Sequence, residues 1–203
     1  MLHGEIEVIM RETNVTKLVK IALIGAVYTA LTLAVAPFSF GAVQFRVSEA
    51  LTLLPLFSPL GIWGVTFGCL ISNLLGFLMG TNPIGLIDSV CGTGATLLAA
   101  LVTYWIGRRP MTAVQDDKKR RLIKALLAPI PVVIANGVIV GLELTVVFGG
   151  NPGDTFGALF AFNGISVAAG EIGVCYTLGM LLTFALYRGD LYKKLFPGAK
   201  LAA

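Results

Sequence analysis

Apolar residues fall in long blocks along the chain, near 16–36, 44–58, 60–78, 84–107, 122–148 and 158–187. The breaks between them carry turn residues: "PFSFG", "FSPLG", "GTNPIG", the charged "RRPMTAVQDDKKRR" and "FGGNPGD". A helix that crosses a bilayer core needs ~20 mostly apolar residues. The pattern predicts six helices, the second of them short and separated from the third only by Ser58-Pro59. Composition supports a chain whose solvent is lipid. It is 56% hydrophobic and 13% charged, against roughly 25% charged in soluble domains, and its mean hydropathy is +0.86. The expected architecture is an all-α membrane protein: one six-transmembrane-helix bundle over 16–187, a polar lead over 1–15 and a basic tail over 188–203.

Charge sets the orientation. Of the 15 basic residues, Arg11, Lys17 and Lys20 precede the bundle or open it. Arg108, Arg109, Lys118, Lys119, Arg120, Arg121 and Lys124 lie between the fourth and fifth helices. Arg188, Lys193, Lys194 and Lys200 close the chain. All of these fall on one side, which the positive-inside rule makes cytoplasmic. The net charge of +4 is then a topology signal, and no nucleic-acid partner is needed to explain it. The first 14 residues, with Glu5, Glu7, Arg11 and Glu12, lack the pattern of a secretory signal peptide. The exception to the basic side is Arg46, at the outer end of the second helix.

Several chemistries are disfavoured. Cys69, Cys91 and Cys175 are widely spaced in apolar runs and read as packing or lipid-facing residues, without metal-ligand spacing. His3 is the single histidine and lies in the polar lead. No phosphate-cradling glycine loop is present, so no motif for ATP hydrolysis occurs in this chain. No internal repeat of the inverted-transporter kind stands out. A membrane enzyme lacks candidates for its catalytic groups.

Ionisable groups inside a bilayer are expensive and are functional candidates by default. Within the apolar blocks lie Arg46, Glu49, Asp88, Glu143 and Glu171, together with the amides Gln44, Asn73, Asn136 and Asn163. At ~1.5 Å per helical residue, Glu49, Asp88, Glu143 and Asn163 sit roughly 6–8 Å from the outer helix ends, and Glu171 about 20 Å. Groups from four helices at one depth predict a pocket that opens outward. Arg46 and Glu49, three residues apart, are expected to pair directly. Asp88, in the first turn of its helix, has a plain role against the helix dipole. The remaining carboxylates call for protons, water or a donor-rich or cationic ligand.

Helix faces add a second theme. Ala22, Ala26, Ala30 and Ala34 recur every four residues beside Gly25, a spacing that lets helices approach closely in lipid. This face serves packing within the chain or docking of another membrane subunit. Gly64 with Gly68, and Gly137 with Gly141, are expected to pack internally. Pro129 and Pro131 are expected to distort the inner part of the fifth helix.

The stretch "VQFRVSEALTLLPLF" resembles the signature of the QueT family, the S components of energy-coupling factor (ECF) transporters for queuosine precursors. "GLIDSVCGTGATLLAALVTY", "NGVIVGLEL" and "VAAGEIGVCYTLG" are similar to the same family, and the likeness spans most of 16–187. The resemblance implies a six-helix bundle with both termini cytoplasmic, in the bacterial cell membrane. It implies capture of substrate from outside, a separate ECF coupling transmembrane subunit and two ATPase subunits. ATP is then used by those subunits, and this chain carries no cofactor. The implied ligands are 7-deazaguanine bases: 7-cyano-7-deazaguanine, 7-aminomethyl-7-deazaguanine or queuine. A guanine-like edge presents a ring N–H beside an amino group, and one carboxylate accepts both. Glu143 is the first choice for that contact and Glu171 the second. An aminomethyl cation calls for a further carboxylate, Asp88 or Glu49. Asn163 and Asn136 are candidates for the carbonyl or ring nitrogens, and Arg46 reaches a carbonyl or holds Glu49. The alanine row resembles the surface that docks on the coupling subunit. Two competing readings remain: a standalone proton-coupled carrier using Glu143 and Glu171, and an S component for another vitamin or amine.

Overall fold

The computed structural model describes residues 13–41 and 44–197. Most of the polar lead, with His3, and the end of the tail, with Lys200, lie outside the described residues. Every regular element among the described residues is helical. Helix α1 is Asn14–Ala34, opened by the Thr13 hydroxyl, which accepts from the Thr16 amide at 3.2 Å. The short α2, Ala36–Ser39, follows. After a 310 helix over Val47–Leu56 come α3, Pro59–Leu78, and α4, Gly85–Arg108. Ser58 caps α3 and Pro59 opens it, the usual place for a residue without a donor. The fifth apolar block divides into α5, Asp117–Leu127, and α6, Pro129–Phe148. The sixth is α7, Phe156–Val174, continued by a π-helical turn, Cys175–Gly179, into α8, Met180–Tyr187. A last helix, α9, covers Leu191–Leu195.

Five helical stretches are long and apolar enough to cross a membrane: Asn14–Ala34, Pro59–Leu78, Gly85–Arg108, Asp117–Phe148 and Phe156–Leu195. The second apolar block differs from expectation. Its 310 helix has 10 residues, eight of them buried, and a rise of ~2.0 Å per residue gives it about 20 Å, short of a ~30 Å bilayer core. Pro55 contributes to this winding, because an α-helix would need the amide it lacks and would meet its ring. Pro129 and Pro131 interrupt the inner part of the fifth block, as expected: the helix stops at Leu127 and restarts at Pro129. They occupy the first turn of α6, where their missing amides leave no helical donor unpaired, and so set the point of the break.

Side-chain neighbours give the direction of each element. Gly64 packs against Ile21 and Ile24, and Gly68 against Gly25 and Tyr28. Both contacts advance together, so α1 and α3 run parallel, and the 310 helix lies between them in the chain. The remaining neighbours are antiparallel. Gly85 meets Asn73 and Phe77, the Thr103 hydroxyl donates to the Ala128 carbonyl at 3.2 Å, and Asn163 reaches Thr145. The first turns of α1 return to the chain's last described helix, where the Lys20 ammonium donates to the Leu195 carbonyl at 2.5 Å. The described basic residues other than Arg46 gather at this end. An apolar cluster of Leu53, Leu56, Phe57, Ala128, Met180 and Tyr187 fills the core there.

Small residues set the spacing of two helix pairs. In α1 it is Gly25 that faces α3, while Ala22, Ala26, Ala30 and Ala34 are exposed. In α6 and α7 the backbones nearly touch: a Cβ on Gly141 would lie 2.6 Å from the Gly164 Cα. Replacing Gly141 by alanine is therefore expected to cost about 1–3 kcal/mol through overpacking. Gly94→Ala, whose Cβ would meet nothing within 4 Å, serves as the control. Thermal unfolding in detergent distinguishes them, and equal melting of the two variants would contradict the close approach of α6 and α7.

Candidate substrate-binding site

A polar network occupies the bundle at the end opposite the basic residues. It is built on Arg46, which immediately precedes the 310 helix and is only 4% exposed. Its Nη2 donates to Asp88 Oδ2 at 3.3 Å. Its Nη1 lies 3.9 Å from Glu49 Oε1, an ion pair outside hydrogen-bond reach, and contacts Cys69 Sγ at 3.6 Å. The guanidinium also sits 5.4 Å above the Phe40 ring. The expected Arg46–Glu49 pair is thus present but secondary. Arg46 has extended backbone angles, φ −93° and ψ 97°, so helical i,i+3 geometry does not apply to it.

Each partner is held in turn. The Tyr28 hydroxyl of α1 donates to Glu49 Oε1. Asn82 Nδ2 donates to Asp88 Oδ2 at 3.0 Å, and Asn73 Nδ2 to the Asp88 carbonyl at 2.9 Å. Asp88 does lie in the first turn of α4, and it is an ion-pair partner as well. Four elements, α1, α3, α4 and the 310 helix, therefore converge on one guanidinium.

Glu143 of α6 stands apart. It is 5% exposed, yet neither carboxylate oxygen has a hydrogen-bond partner among the described residues. Its charged neighbours are Asp88 and Arg46. Other buried polar atoms are open too: Glu49 Oε2, Asp88 Oδ1, Arg46 Nε, Asn73 Oδ1 and the hydroxyls of Thr93 and Thr96. Buried groups left unpaired cost about 1–3 kcal/mol each. Their concentration between α4, α6 and the 310 helix is what a polar ligand would satisfy.

Glu171 lies deeper. Its Oε1 accepts from Asn136 Nδ2 at 2.9 Å, and the Cys175 thiol lies 3.8 Å from its Oε2. Its charged neighbours are Glu49 and Arg46. Asn136 precedes Glu143 by seven positions on α6, a separation of roughly 10 Å along the axis. Asn163, partly buried, donates to the Thr145 hydroxyl at 3.0 Å. With Phe40, Gln44, Asn82 and Phe148 it lines a cavity of about 300 Å³ at the rim, where Asn82 links the cavity to Asp88.

The structure thus joins Arg46, Glu49 and Asp88 in direct contact, sets Glu143 beside them, and places the Glu171–Asn136 pair below and Asn163 at the rim. Tyr28, Asn82, Thr93, Thr96 and Cys69 were not among the expected site residues. Asn82 sits in the turn "GTNPIG" and reads as punctuation. Tyr28 carries the usable signal, a polar aromatic at helical spacing from Gly25. Among the described residues no group of three metal-ligating side chains occurs.

A family model described as QueT transporter matches residues 18–188, which hold every group in this network. The chain belongs to the QueT transporter family. Transport rather than catalysis is the work of the QueT family, and this member is a multi-pass membrane protein. It is similar to the queuosine precursor transporter QueT of Lactococcus lactis subsp. cremoris (strain MG1363), 40% identical over 91 residues. That match takes in 44% of this chain and 50% of the relative, so the chain spans about half the length of the curated relative it matches. No solved structure matches the chain.

Proposed function

We propose that this QueT-family protein is the substrate-binding S component of an ECF importer and captures a 7-deazaguanine queuosine precursor from outside the cell. The observation that carries the reading is Glu143, a buried carboxylate with two open oxygens beside Arg46 and Asp88. A guanine-like edge supplies two adjacent donors to such a group. In this reading the 310 helix is the second of six crossings, supported by the parallel run of α1 and α3. Both chain ends are then cytoplasmic, in keeping with the basic end of the bundle. The rim cavity beside Asn163 faces outward.

The partners follow from the same reading. In the exposed row Ala22, Ala26, Ala30 and Ala34, the first three line a shallow groove with Phe67 and Ile71, and the row receives the coupling transmembrane subunit. Two partner ATPases supply the energy. A standalone proton-coupled carrier is the second reading, favoured by two buried carboxylates, Glu143 and Glu171, that lack direct ion pairs among the described residues.

Calorimetric titration of the purified chain, without partners, tests capture. A 7-deazaguanine is expected to bind, with guanine and thiamine much weaker. A folded protein that binds none of the deazaguanines would end the substrate assignment. Uptake in cells separates the two mechanisms. Uptake that needs the coupling module supports the S component, whereas uptake that persists without it and follows a proton gradient supports the carrier.

A further inference from the structure

Four carboxylates, Glu49, Asp88, Glu143 and Glu171, are 5% exposed or less, and the cation set among them is Arg46. They are also ordered in depth. Glu143 and Asp88 lie about 6–8 Å from the outer ends of their helices, and Arg46 bonds to Asp88 there. Arg46 also lies 3.9 Å from Glu49 Oε1, and the Cys175 thiol contacts the Glu49 carbonyl at 3.6 Å. Glu171, held by Asn136, lies roughly 10 Å below Glu143 along α6, and the same Cys175 thiol lies 3.8 Å from its Oε2.

One side of a 7-deazaguanine presents groups in a matching order. The amino group and ring N–H come first, the carbonyl next, and the substituent on carbon 7 last. Glu143 has two open acceptor oxygens for the first pair. Arg46 has an open Nε donor for the carbonyl. Glu49 has an open Oε2 for the last position. Glu171 completes that end: Asn136 occupies its Oε1, while Oε2 carries only the weak contact to the Cys175 thiol. Asp88 is less suited, because Arg46 and Asn82 both already donate to its Oδ2.

Resting on the deazaguanine reading above, we propose that Glu171 and Glu49 form a subsite for a cationic amine on carbon 7, so that the protein selects amine-bearing precursors over the nitrile. An ammonium brings three donors and a positive charge to two carboxylates. A nitrile brings only an acceptor, which faces like-signed oxygens there. The subsite thereby discriminates by repulsion as well as by attraction.

The test is calorimetric titration of the full chain in detergent with two probes, 7-aminomethyl-7-deazaguanine and 7-cyano-7-deazaguanine. The wild type is expected to bind the amine about tenfold or more tightly than the nitrile. E171Q is expected to lose about tenfold in affinity for the amine while keeping or gaining affinity for the nitrile, and the nitrile binding also reports an intact fold. E143Q, by contrast, weakens both probes. Equal losses for both probes in E171Q, no loss for either, or a wild-type preference for the nitrile would each overturn the subsite. A folded wild type that binds neither probe removes the capture reading itself and the subsite with it.

Discussion

Glu143→Gln is expected to lower affinity for every deazaguanine by roughly a hundredfold, about 3 kcal/mol for two charge-assisted contacts. The amide keeps the shape but turns one acceptor into a donor, which then opposes a donor of the base. The same variant is expected to fold as well as the wild type or better. Glu143 makes no hydrogen bond among the described residues, so the substitution breaks no contact and removes a buried charge. Affinity and melting temperature should therefore move independently. Measured together, a fall in stability with unchanged affinity would show Glu143 to be a structural group and would sink its assignment to the guanine edge.

Arg46→Ala should have the opposite profile, a large loss of stability. Removing one partner of a buried ion pair costs about 3–5 kcal/mol, mostly because the other charge is stranded. Here Asp88 loses its 3.3 Å partner and Glu49 its 3.9 Å one. The double variant Arg46→Ala with Asp88→Asn is expected to recover part of the loss, since a neutral amide no longer needs the cation. Arg109→Ala is the control: Arg109 is exposed and stacked 4.4 Å above the Trp105 ring, and such contacts are worth about 0.5–1 kcal/mol. Thermal unfolding in detergent reads all three. An Arg46→Ala protein that melts with the wild type would mean that water already compensates the network.

The apolar blocks announced the long helices well, because a run of ~20 such residues has few other uses. They could not announce the form of the second block. A short apolar run bounded by turn residues fits several structures, and its 310 winding depends on Pro55 and on packing among helices distant in sequence. The candidate site was legible as a set of residue types and only partly as a geometry. Glu143, Asp88 and Glu171 stand out because charge is scarce. The Arg46–Asp88 contact joins residues 42 positions apart, and no local spacing encodes it. Tyr28 and Asn82 were obscure for another reason. Each is common in a helix or a turn, and only the fold shows that they hold Glu49 and Asp88, the two carboxylates on Arg46.

The buried 310 helix also bears on how the molecule is made. It holds 10 residues, begins beside Arg46 and contains Glu49. A segment so short, with two charges at its head, is a poor candidate for insertion into lipid alone, where a central Arg or Asp costs about 2.5–3.5 kcal/mol. On the six-crossing reading, α1 and α3 must nevertheless emerge with the same orientation. The second segment would then enter after its neighbours, threading between α1, α3 and α4 once Tyr28, Asn82 and Asp88 stand ready to receive its charges. On that reading its place would be assigned by the finished protein rather than by the insertion machinery, and maturation would end with the assembly of the polar network around Arg46.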